Sequence, residues 1–358
     1  MIIPENSNEL TPAWFAGFLS ERGDQVNVKS VHLEQLGVGA GMMSTMYRAR
    51  LTYAGGSGPD TLIVKLPTAM TQNRAIAAQF DNYRREVEFY RRAAHATPMR
   101  TASVYLAEHD GPDNFVLVLE DLGNWELGDQ IAGCSLDRAT AVMEELAALH
   151  GAFWNGVDRA EMDWLPDNYP SVMSDGLASG TEASWEGFVI NFADLLPDSL
   201  RDARLDYLDG LPRVQAWMND RPRTIVHGDY RMDNLFFRET GNGIEVACCD
   251  FQAPVRGKGI QDVAYFLSAS IDTEMRRTHE HDLIRHWLDS LSSQGIDDYQ
   301  FDQALLDYRM GILMLWTYVV IVGGGMTAEN ERGDNWVSAM VERSIASMQD
   351  HDCLSLLA

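Results

Sequence analysis

The sequence contains few cysteines, and they lack the spacings that cysteine-rich sites need. Its 358 residues include only Cys134, Cys248, Cys249 and Cys353. None of them forms a CxxC pair or a zinc-ligand pattern. This scarcity excludes a disulfide-rich scaffold and a zinc-finger module. We therefore expect reduced, mostly structural thiols and a cytoplasmic location.

Basic residues are also scarce relative to acidic ones. The chain carries 28 Lys and Arg against 53 Asp and Glu, which gives a formal net charge of −25 at pH 7. This balance argues against nucleic acid and anionic membrane surfaces as main partners. The acidic residues are scattered along the chain, which is more typical of solubility than of a site for a cationic ligand. A cationic ligand nevertheless remains an open alternative.

Long apolar runs and a leader-like start are missing as well. The N-terminal sequence MIIPENSNEL has neither a basic start nor an apolar stretch, so no signal peptide is expected. The apolar run at residues 310–322 is shorter than the roughly 20 residues that cross a bilayer, and it predicts a buried helix. The length suits one two-lobed unit or two modest domains.

The most informative motif is HGDYRMDN at residues 227–234, followed by CCDFQ at residues 248–252. Asp229 and Asn234 are five residues apart, like the Asp and Asn of a kinase catalytic loop. Between the motifs, two short apolar runs flank the turn sequence RETGNG, which predicts a hairpin. That hairpin would return Asp250 beside Asn234.

These three side chains have complementary chemistry. The Asp250 carboxylate and the Asn234 amide oxygen are hard ligands suited to Mg²⁺. Asp229 could then accept the proton of an acceptor hydroxyl. Either motif alone is better explained as a capped turn or the end of an ordinary strand. The ordered set of both motifs favours phosphotransferase chemistry.

The HGD sequence with an Asn five residues after its Asp resembles the aminoglycoside phosphotransferase and choline kinase superfamily. The continuation RGKGIQDVAYFLSAS at residues 256–270 is most similar to the ecdysteroid-kinase-like branch and its bacterial relatives. The resemblance implies an α+β, two-lobed protein-kinase-like fold. Residues 1–121 would form a nucleotide-binding lobe with a small antiparallel sheet and one helix. Residues 122–358 would form a mostly helical catalytic and acceptor-binding lobe.

A glycine-rich segment at residues 36–49 precedes the first strongly apolar strand. Gly37, Gly39 and Gly41 alternate there, and Ser44 follows them. Such a segment lets backbone N–H groups approach phosphate oxygens. The signal is weak alone, because a glycine-rich hairpin needs no ligand.

Lys65 lies within the apolar strand sequence TLIVKLP at residues 61–67, where a buried ammonium would need an anion. ATP phosphate is the natural candidate, although a lysine protecting an edge strand is an alternative. Residues 74–94 predict one long helix with an apolar stripe. Glu86 borders that stripe and is the predicted partner of Lys65.

Further roles follow from the resemblance. Glu120 and Leu122 would belong to the segment that joins the lobes, whose backbone would bind adenine, so ATP and GTP are not distinguished. Asp262 would brace the catalytic loop, and His227 would orient it. Independently of the resemblance, the proximity of Arg231 to Asp229 makes it a candidate for contact with phosphate or acceptor. Outside the resemblance, Ser135 is predicted to cap a helix.

The combined prediction is an ATP- and Mg²⁺-dependent kinase that transfers the γ-phosphoryl group to a hydroxyl of a small organic molecule. A steroid-like, acyl or other weakly polar alcohol is the favoured acceptor. An aminoglycoside or choline-type kinase with a cationic acceptor is one alternative. A catalytically silent, pseudokinase-like binding module is another, and the oligomeric state stays open.

Overall fold

A computed structural model describes residues 3–21, 25–37, 43–325 and 331–357. The chain forms two compact units, Met1–Ala96 with Thr101–Trp125, and Thr97–Arg100 with Glu126–Ala358. The first unit thus runs past the predicted lobe boundary at residue 121. Thr97–Arg100 belongs to the second unit because the Arg100 amide donates to Glu145 at 2.9 Å and the Arg100 carbonyl accepts from the Cys248 amide at 2.9 Å.

The first unit is built on a five-stranded antiparallel sheet. Its elements are α1 (Pro12–Glu21), β1 (Asn27–Leu36), β2 (Ser44–Gly55), β3 (Thr61–Pro67), α2 (Thr71–Gln79), α3 (Asn82–Glu88), β4 (Val104–His109) and β5 (Phe115–Glu120), with sheet order β1-β2-β3-β5-β4. Alternating residues of β3, Leu62, Val64 and Leu66, are buried with Phe15 and Phe18 of α1. This alternation is the two-residue period of a β-strand, whose successive side chains point to opposite faces of the sheet.

The predicted single helix over residues 74–94 is wrong. α2 ends at Gln79, and Asp81 adopts a left-handed backbone conformation with φ of 58°. This conformation interrupts the helical hydrogen-bond ladder, and aspartate tolerates it better than most residues. α3 then continues into a π-helical turn at Phe89–Ala93. The apolar stripe survives the break, because Tyr83 of α3 still stacks on Phe115 of β5 at 4.3 Å between ring centroids.

The second unit is mostly helical. Its elements are β6 (Glu126–Leu127), α4 (Leu136–Ala152), α5 (Val172–Asn191), α6 (Asp198–Arg201), α7 (Arg204–Asn219), β7 (Thr224–Val226), β8 (Leu235–Thr240), β9 (Gly243–Cys248), β10 (Val255–Gly257), α8 (Ile260–Ala269), α9 (Thr273–Ser292), α10 (Phe301–Gly325) and α11 (Glu331–Asp350). One small antiparallel sheet has the order β6-β8-β9, and a second pairs β7 with β10. The Ser135 side chain accepts from the Arg138 amide at 3.3 Å, which confirms the predicted cap of α4.

α10 forms the centre of the second unit, where it packs against α5 and α8. It contains the apolar run at residues 310–322 that the sequence analysis identified. Among the described helices, it alone is long and apolar enough to cross a membrane by length and composition, but 67% of its apolar window is buried inside the protein. The core helix of a folded domain has the same composition.

Candidate active site

The β8–β9 hairpin builds the candidate site in the second unit. Leu235 pairs with Cys248, and the chain reverses where Thr240 pairs with Gly243. The pairing extends past the strands, since the Cys249 amide donates to the Asn234 carbonyl at 3.0 Å. Asp250 follows directly, so the hairpin returns it beside Asn234 as predicted.

Asp262 of α8 anchors the loop that precedes the hairpin. Its Oδ2 accepts from the His227 amide at 2.7 Å, and its Oδ1 accepts from the Gly228 amide at 3.0 Å. Gly228 has φ of 83°, and a Cβ there would lie 2.4 Å from the Ala253 carbonyl oxygen. Only glycine fits this position. The predicted bracing role of Asp262 is therefore confirmed.

His227 faces the backbone of the same loop. Its Nδ1 accepts from the Asp229 amide at 3.2 Å, and its Nε2 donates to the Cys249 carbonyl at 3.0 Å. These two bonds fix a neutral ring with its proton on Nε2. The ring thus ties the loop to the segment that carries Asp250, which confirms its predicted orienting role.

The Asp229 carboxylate accepts hydrogen bonds from three side chains. Asn234 Nδ2 donates to Oδ2 at 3.0 Å, and the Tyr265 hydroxyl donates to Oδ1 at 3.0 Å. Arg231 Nε lies 3.1 Å from Oδ1 and 3.4 Å from Oδ2. The side chain remains 32% exposed, so it is both fixed and reachable from solvent.

Arg231 lies among acidic groups, which stabilise its charge. Burial opposes the charge, but Asp229, Tyr265, Asp233 and Asp250 together raise the pKa of its guanidinium. Burial, and next the charge of Asp229, raises the pKa of Tyr265 well above its ordinary value. Tyr265 therefore keeps its proton and donates to Asp229.

The donor set at the hairpin suits a magnesium ion. Asn234 Nδ2 is engaged by the Asp229 carbonyl at 2.8 Å and by its carboxylate, so the amide oxygen is the atom that remains for a cation. Asp250 contributes a carboxylate at φ of 65°, a backbone conformation rare outside glycine and often found at functional sites. No group of three or more His, Cys, Asp or Glu among the described residues could hold a metal. Magnesium fits, because it commonly takes one or two carboxylates together with substrate phosphates.

In the first unit, Lys65 and Glu86 form a buried ion pair. Lys65 lies on β3 between Met46 of β2 and Leu117 of β5. Its Nζ is 2.6 Å from Glu86 Oε1 of α3, and the residues are 4% and 0% exposed. The predicted pairing is present, and burial requires each charge to have such a partner. The contact of Lys65 with nucleotide phosphate stays a prediction.

The glycine-rich segment is described in part. Gly37 has φ of 61°, a left-handed conformation, whereas Gly39 and Gly41 lie outside the described residues. Ser44 begins β2 opposite Pro67. Just before it, the Met43 carbonyl accepts from the Tyr83 hydroxyl at 2.5 Å, which fixes the start of the strand to α3.

The segment after β5 is held by an ion pair that the sequence analysis missed. Arg48 Nε of β2 donates to Asp121 Oδ2 at 2.7 Å, and Asp121 Oδ1 accepts from the Gly123 amide at 2.9 Å. Glu120 Oε2 accepts from the Ser103 amide at 3.0 Å, and the buried Leu122 accepts from the Trp125 amide at 2.8 Å through its carbonyl. No periodicity or motif links Arg48 to Asp121, because strand pairing alone brings them together. The predicted adenine contacts of this segment stay a prediction.

Solved structures share this fold. Plasmodium vivax ethanolamine kinase superposes with a TM-score of 0.53 at 12% identity, covering 90% of this chain and 81% of that chain. The GDP complex of aminoglycoside 2'-phosphotransferase-IIIa gives 0.54 at 11% identity, covering 93% and 98%. An amicoumacin kinase bound to AMP-PNP and Ca²⁺ gives 0.52 at 14% identity, covering 89% and 88%. At these identities the similarity establishes the fold alone, and it confirms the predicted α+β kinase-like class.

A curated relative and a family model match the sequence. The Caenorhabditis elegans protein "Uncharacterized oxidoreductase dhs-27" is 20% identical over 359 residues, or 87% of this chain. The chain spans only 42% of the length of that relative. The model of the ecdysteroid kinase-like family matches residues 38–296, which is well over half of the chain. The chain therefore belongs to the ecdysteroid kinase-like family and has the fold of small-molecule phosphotransferases.

Proposed function

We propose that this protein transfers the γ-phosphoryl group of ATP to a hydroxyl of a small organic molecule. The main support is that one loop brings together Asp229, Asn234 and the segment that leads into Asp250. A carboxylate that is reachable from solvent lies there beside two hard oxygen ligands. Kinase chemistry requires this combination, since a base or positioning group must act next to the metal.

Each residue has an assigned task in the proposed reaction. Asp229 orients the acceptor hydroxyl and takes its proton as the oxygen attacks phosphorus. Asn234 and Asp250 would hold Mg²⁺, which when bound offsets the charge on the nucleotide phosphates. Lys65, fixed by Glu86, is assigned to the α- and β-phosphates, and the backbone near Gly37 and Ser44 to phosphate oxygens. Because the transition state is loose, positioning supplies much of the acceleration.

The acceptor class that we assign is a weakly polar alcohol. The Arg231 guanidinium lies 3.1 Å from the carboxylate assigned to the acceptor hydroxyl. Because the carboxylates of Asp229, Asp233 and Asp250 surround this guanidinium, its charge is balanced and does not select against a cationic acceptor. The family description is what points to a steroid-like alcohol. The oxidoreductase name of the nematode relative describes a longer protein, of which this chain spans 42%.

A panel assay tests the proposal. The protein with MgATP would be incubated with sterols, hydroxyacyl thioesters, aminoglycosides and choline, and phosphorylated products would be detected by mass. We expect a product from a weakly polar alcohol, with Asp229→Asn lowering turnover by about 100-fold or more while nucleotide affinity is retained. Nucleotide binding without any product across the panel would instead support a catalytically silent binding module. Product from the cationic acceptors alone would contradict the assigned acceptor class.

A further inference from the structure

The Asp229 carboxylate is gripped by two side chains that are neither metal ligands nor bases. The Tyr265 hydroxyl donates to its Oδ1 at 3.0 Å, and Arg231 Nε donates to the same oxygen at 3.1 Å. We propose that Tyr265 and Arg231 are positioning residues, which hold the Asp229 carboxylate in the orientation that accepts the proton of the acceptor. This inference rests on the proposed function and extends it to how the base is aimed.

Tyr265 is suited to this task by its place on α8. It lies three residues after Asp262, on the same side of the helix. Asp262 fixes the loop backbone through the amides of His227 and Gly228. Tyr265 fixes the side chain of Asp229, the residue that follows them. One rigid, buried helix therefore sets both the backbone and the carboxylate of the loop. Because burial and Asp229 raise the pKa of Tyr265, its hydroxyl stays a donor throughout the neutral range.

The Arg231 side chain is held in place by contacts on several sides. Its Nη1 donates to Asp233 Oδ2 at 2.9 Å while its Nε contacts Asp229, so the guanidinium spans two carboxylates. Its far face lies over the Trp336 ring of α11, 5.1 Å from the centroid. A planar guanidinium fixed on three sides is well ordered.

The positioning contacts on Asp229 matter because the base needs correct placement more than high basicity. In a loose transition state the carboxylate gains little from basicity and much from correct placement. An aspartate carboxylate turns readily about its terminal torsion, whose energy profile is broad. Tyr265 and Arg231 donate to Oδ1 of Asp229, and Asn234 donates to Oδ2. Together these hydrogen bonds hold the carboxylate in one orientation.

Kinetics of single variants provide the first test. With the acceptor found by the panel, Tyr265→Phe should lower kcat by about 10-fold and Arg231→Met by about 100-fold. Acceptor KM and nucleotide Kd should stay near the wild-type values, and Arg231→Lys should recover part of the loss. Tyr299→Phe is the matched control, because the buried Tyr299 hydroxyl donates to a different carboxylate, Asp307 Oδ2, at 2.7 Å. It should change the melting temperature but not kcat.

A double-mutant comparison separates positioning from direct contact. In the Asp229→Asn background, Tyr265→Phe and Arg231→Met should lower kcat no further, because the group they position is gone. A full additional loss would mean that they act on the phosphate or the acceptor themselves, and would overturn the inference. Unchanged kcat in the single variants would overturn it as well.

A crystallographic readout is independent of turnover. In the wild-type protein the Asp229 side chain should occupy one rotamer, and in Tyr265→Phe or Arg231→Met it should occupy several. A single unchanged rotamer in both variants would refute the inference even if the protein is an active kinase. The Asp229 side chain could instead occupy several rotamers in the variants while the wild-type protein transfers phosphate to no acceptor. That result would refute the proposed function and still support the positioning contacts of Tyr265 and Arg231. If Tyr265→Phe does not fold, the less buried Arg231 variants still decide the matter.

Discussion

Asp262 Oδ2 accepts the backbone amide of His227 at 2.7 Å, although the two residues are 35 positions apart in the sequence. The same oxygen lies 3.2 Å from His150 Nε2, and His150 Nδ1 in turn accepts from the Trp287 indole at 3.2 Å. The loop that carries Asp229 is therefore anchored through buried groups to α4 and α9. A loop that must aim a carboxylate gains its rigidity from this chain of hydrogen bonds.

Asp262→Asn should damage both stability and turnover. The amide NH₂ of the new Asn would replace one accepting oxygen and face the backbone N–H donors of His227 or Gly228. We therefore expect the free energy of unfolding, measured by urea denaturation, to fall by about 3 kcal/mol. Asp307→Asn is the control, since Asp307 is equally buried but accepts from Trp217 at 2.6 Å and Tyr299 at 2.7 Å. Both variants should be destabilised, and only Asp262→Asn should lose kcat beyond its loss of folded protein.

Lys65→Ala should weaken the use of ATP. Removing the ammonium deletes the assigned phosphate contact and leaves Glu86 buried without its 2.6 Å partner. We expect the KM for ATP to rise by about 10-fold or more, because one buried charge-assisted contact contributes about 1.5 to 3 kcal/mol. Lys29→Ala, at an exposed position of β1 in the same sheet, should leave the kinetics unchanged. Normal nucleotide kinetics for Lys65→Ala would remove this residue from the phosphate site.

Asp250→Asn should raise the magnesium concentration that turnover requires. An amide binds Mg²⁺ far more weakly than a carboxylate, so the activity remaining at low Mg²⁺ should fall below detection and recover partly at high Mg²⁺. A magnesium titration of initial rates measures this shift. Asp298→Asn, in an exposed loop before α10, is the control. A magnesium dependence equal in both variants would contradict the metal assignment.

The buried carboxyl of Glu145 should make the free energy of unfolding fall as the pH rises. Burial raises the pKa of its carboxyl from 4.5 to about 7, against the Arg100 amide that lowers it. The folded protein thus holds the proton more tightly than the unfolded chain. The resulting stabilisation is full below pH 4.5 and is lost as the pH approaches 7.

Urea denaturation between pH 4.5 and 8 measures this effect. We expect a decline of about 3 kcal/mol in the contribution of Glu145 over that range. Glu145→Gln keeps an oxygen that can accept from the Arg100 amide and should remove this part of the pH dependence. Glu186→Gln, at an exposed position of α5, should retain it. A pH profile that is the same for both variants would contradict the assignment to Glu145.

Local patterns predicted the elements that are fixed by short-range chemistry. The turn sequence between the apolar runs at 235–237 and 244–249 predicted the β8–β9 hairpin, since glycine and asparagine favour a tight reversal. Ser135 predicted the start of α4 because its side chain can satisfy an exposed helical amide. The alternation in β3 placed Lys65 among buried residues and led to its pairing with Glu86.

One helix break and two contacts between distant residues escaped the sequence analysis. The break at Asp81 could not be predicted, because helical periodicity continues across it and only the surrounding packing imposes its φ of 58°. The contact between Tyr265 and Asp229 joins residues 36 positions apart, and the pair formed by Arg48 and Asp121 spans 73 positions. Neither pair has a spacing that a motif or a period would indicate.

The sequence by itself determined the chemical inventory of the candidate site, because the order Asp229, Asn234 and Asp250 is set by covalent spacing and one hairpin. The resemblance that these motifs carry also implied the α+β, kinase-like class, which the structure confirms. The tertiary structure decided the contacts that no motif indicated, namely Tyr265 on the Asp229 carboxylate and Asp121 on Arg48. Such contacts depend on how distant segments pack, and packing is a property of the whole chain that no local pattern encodes.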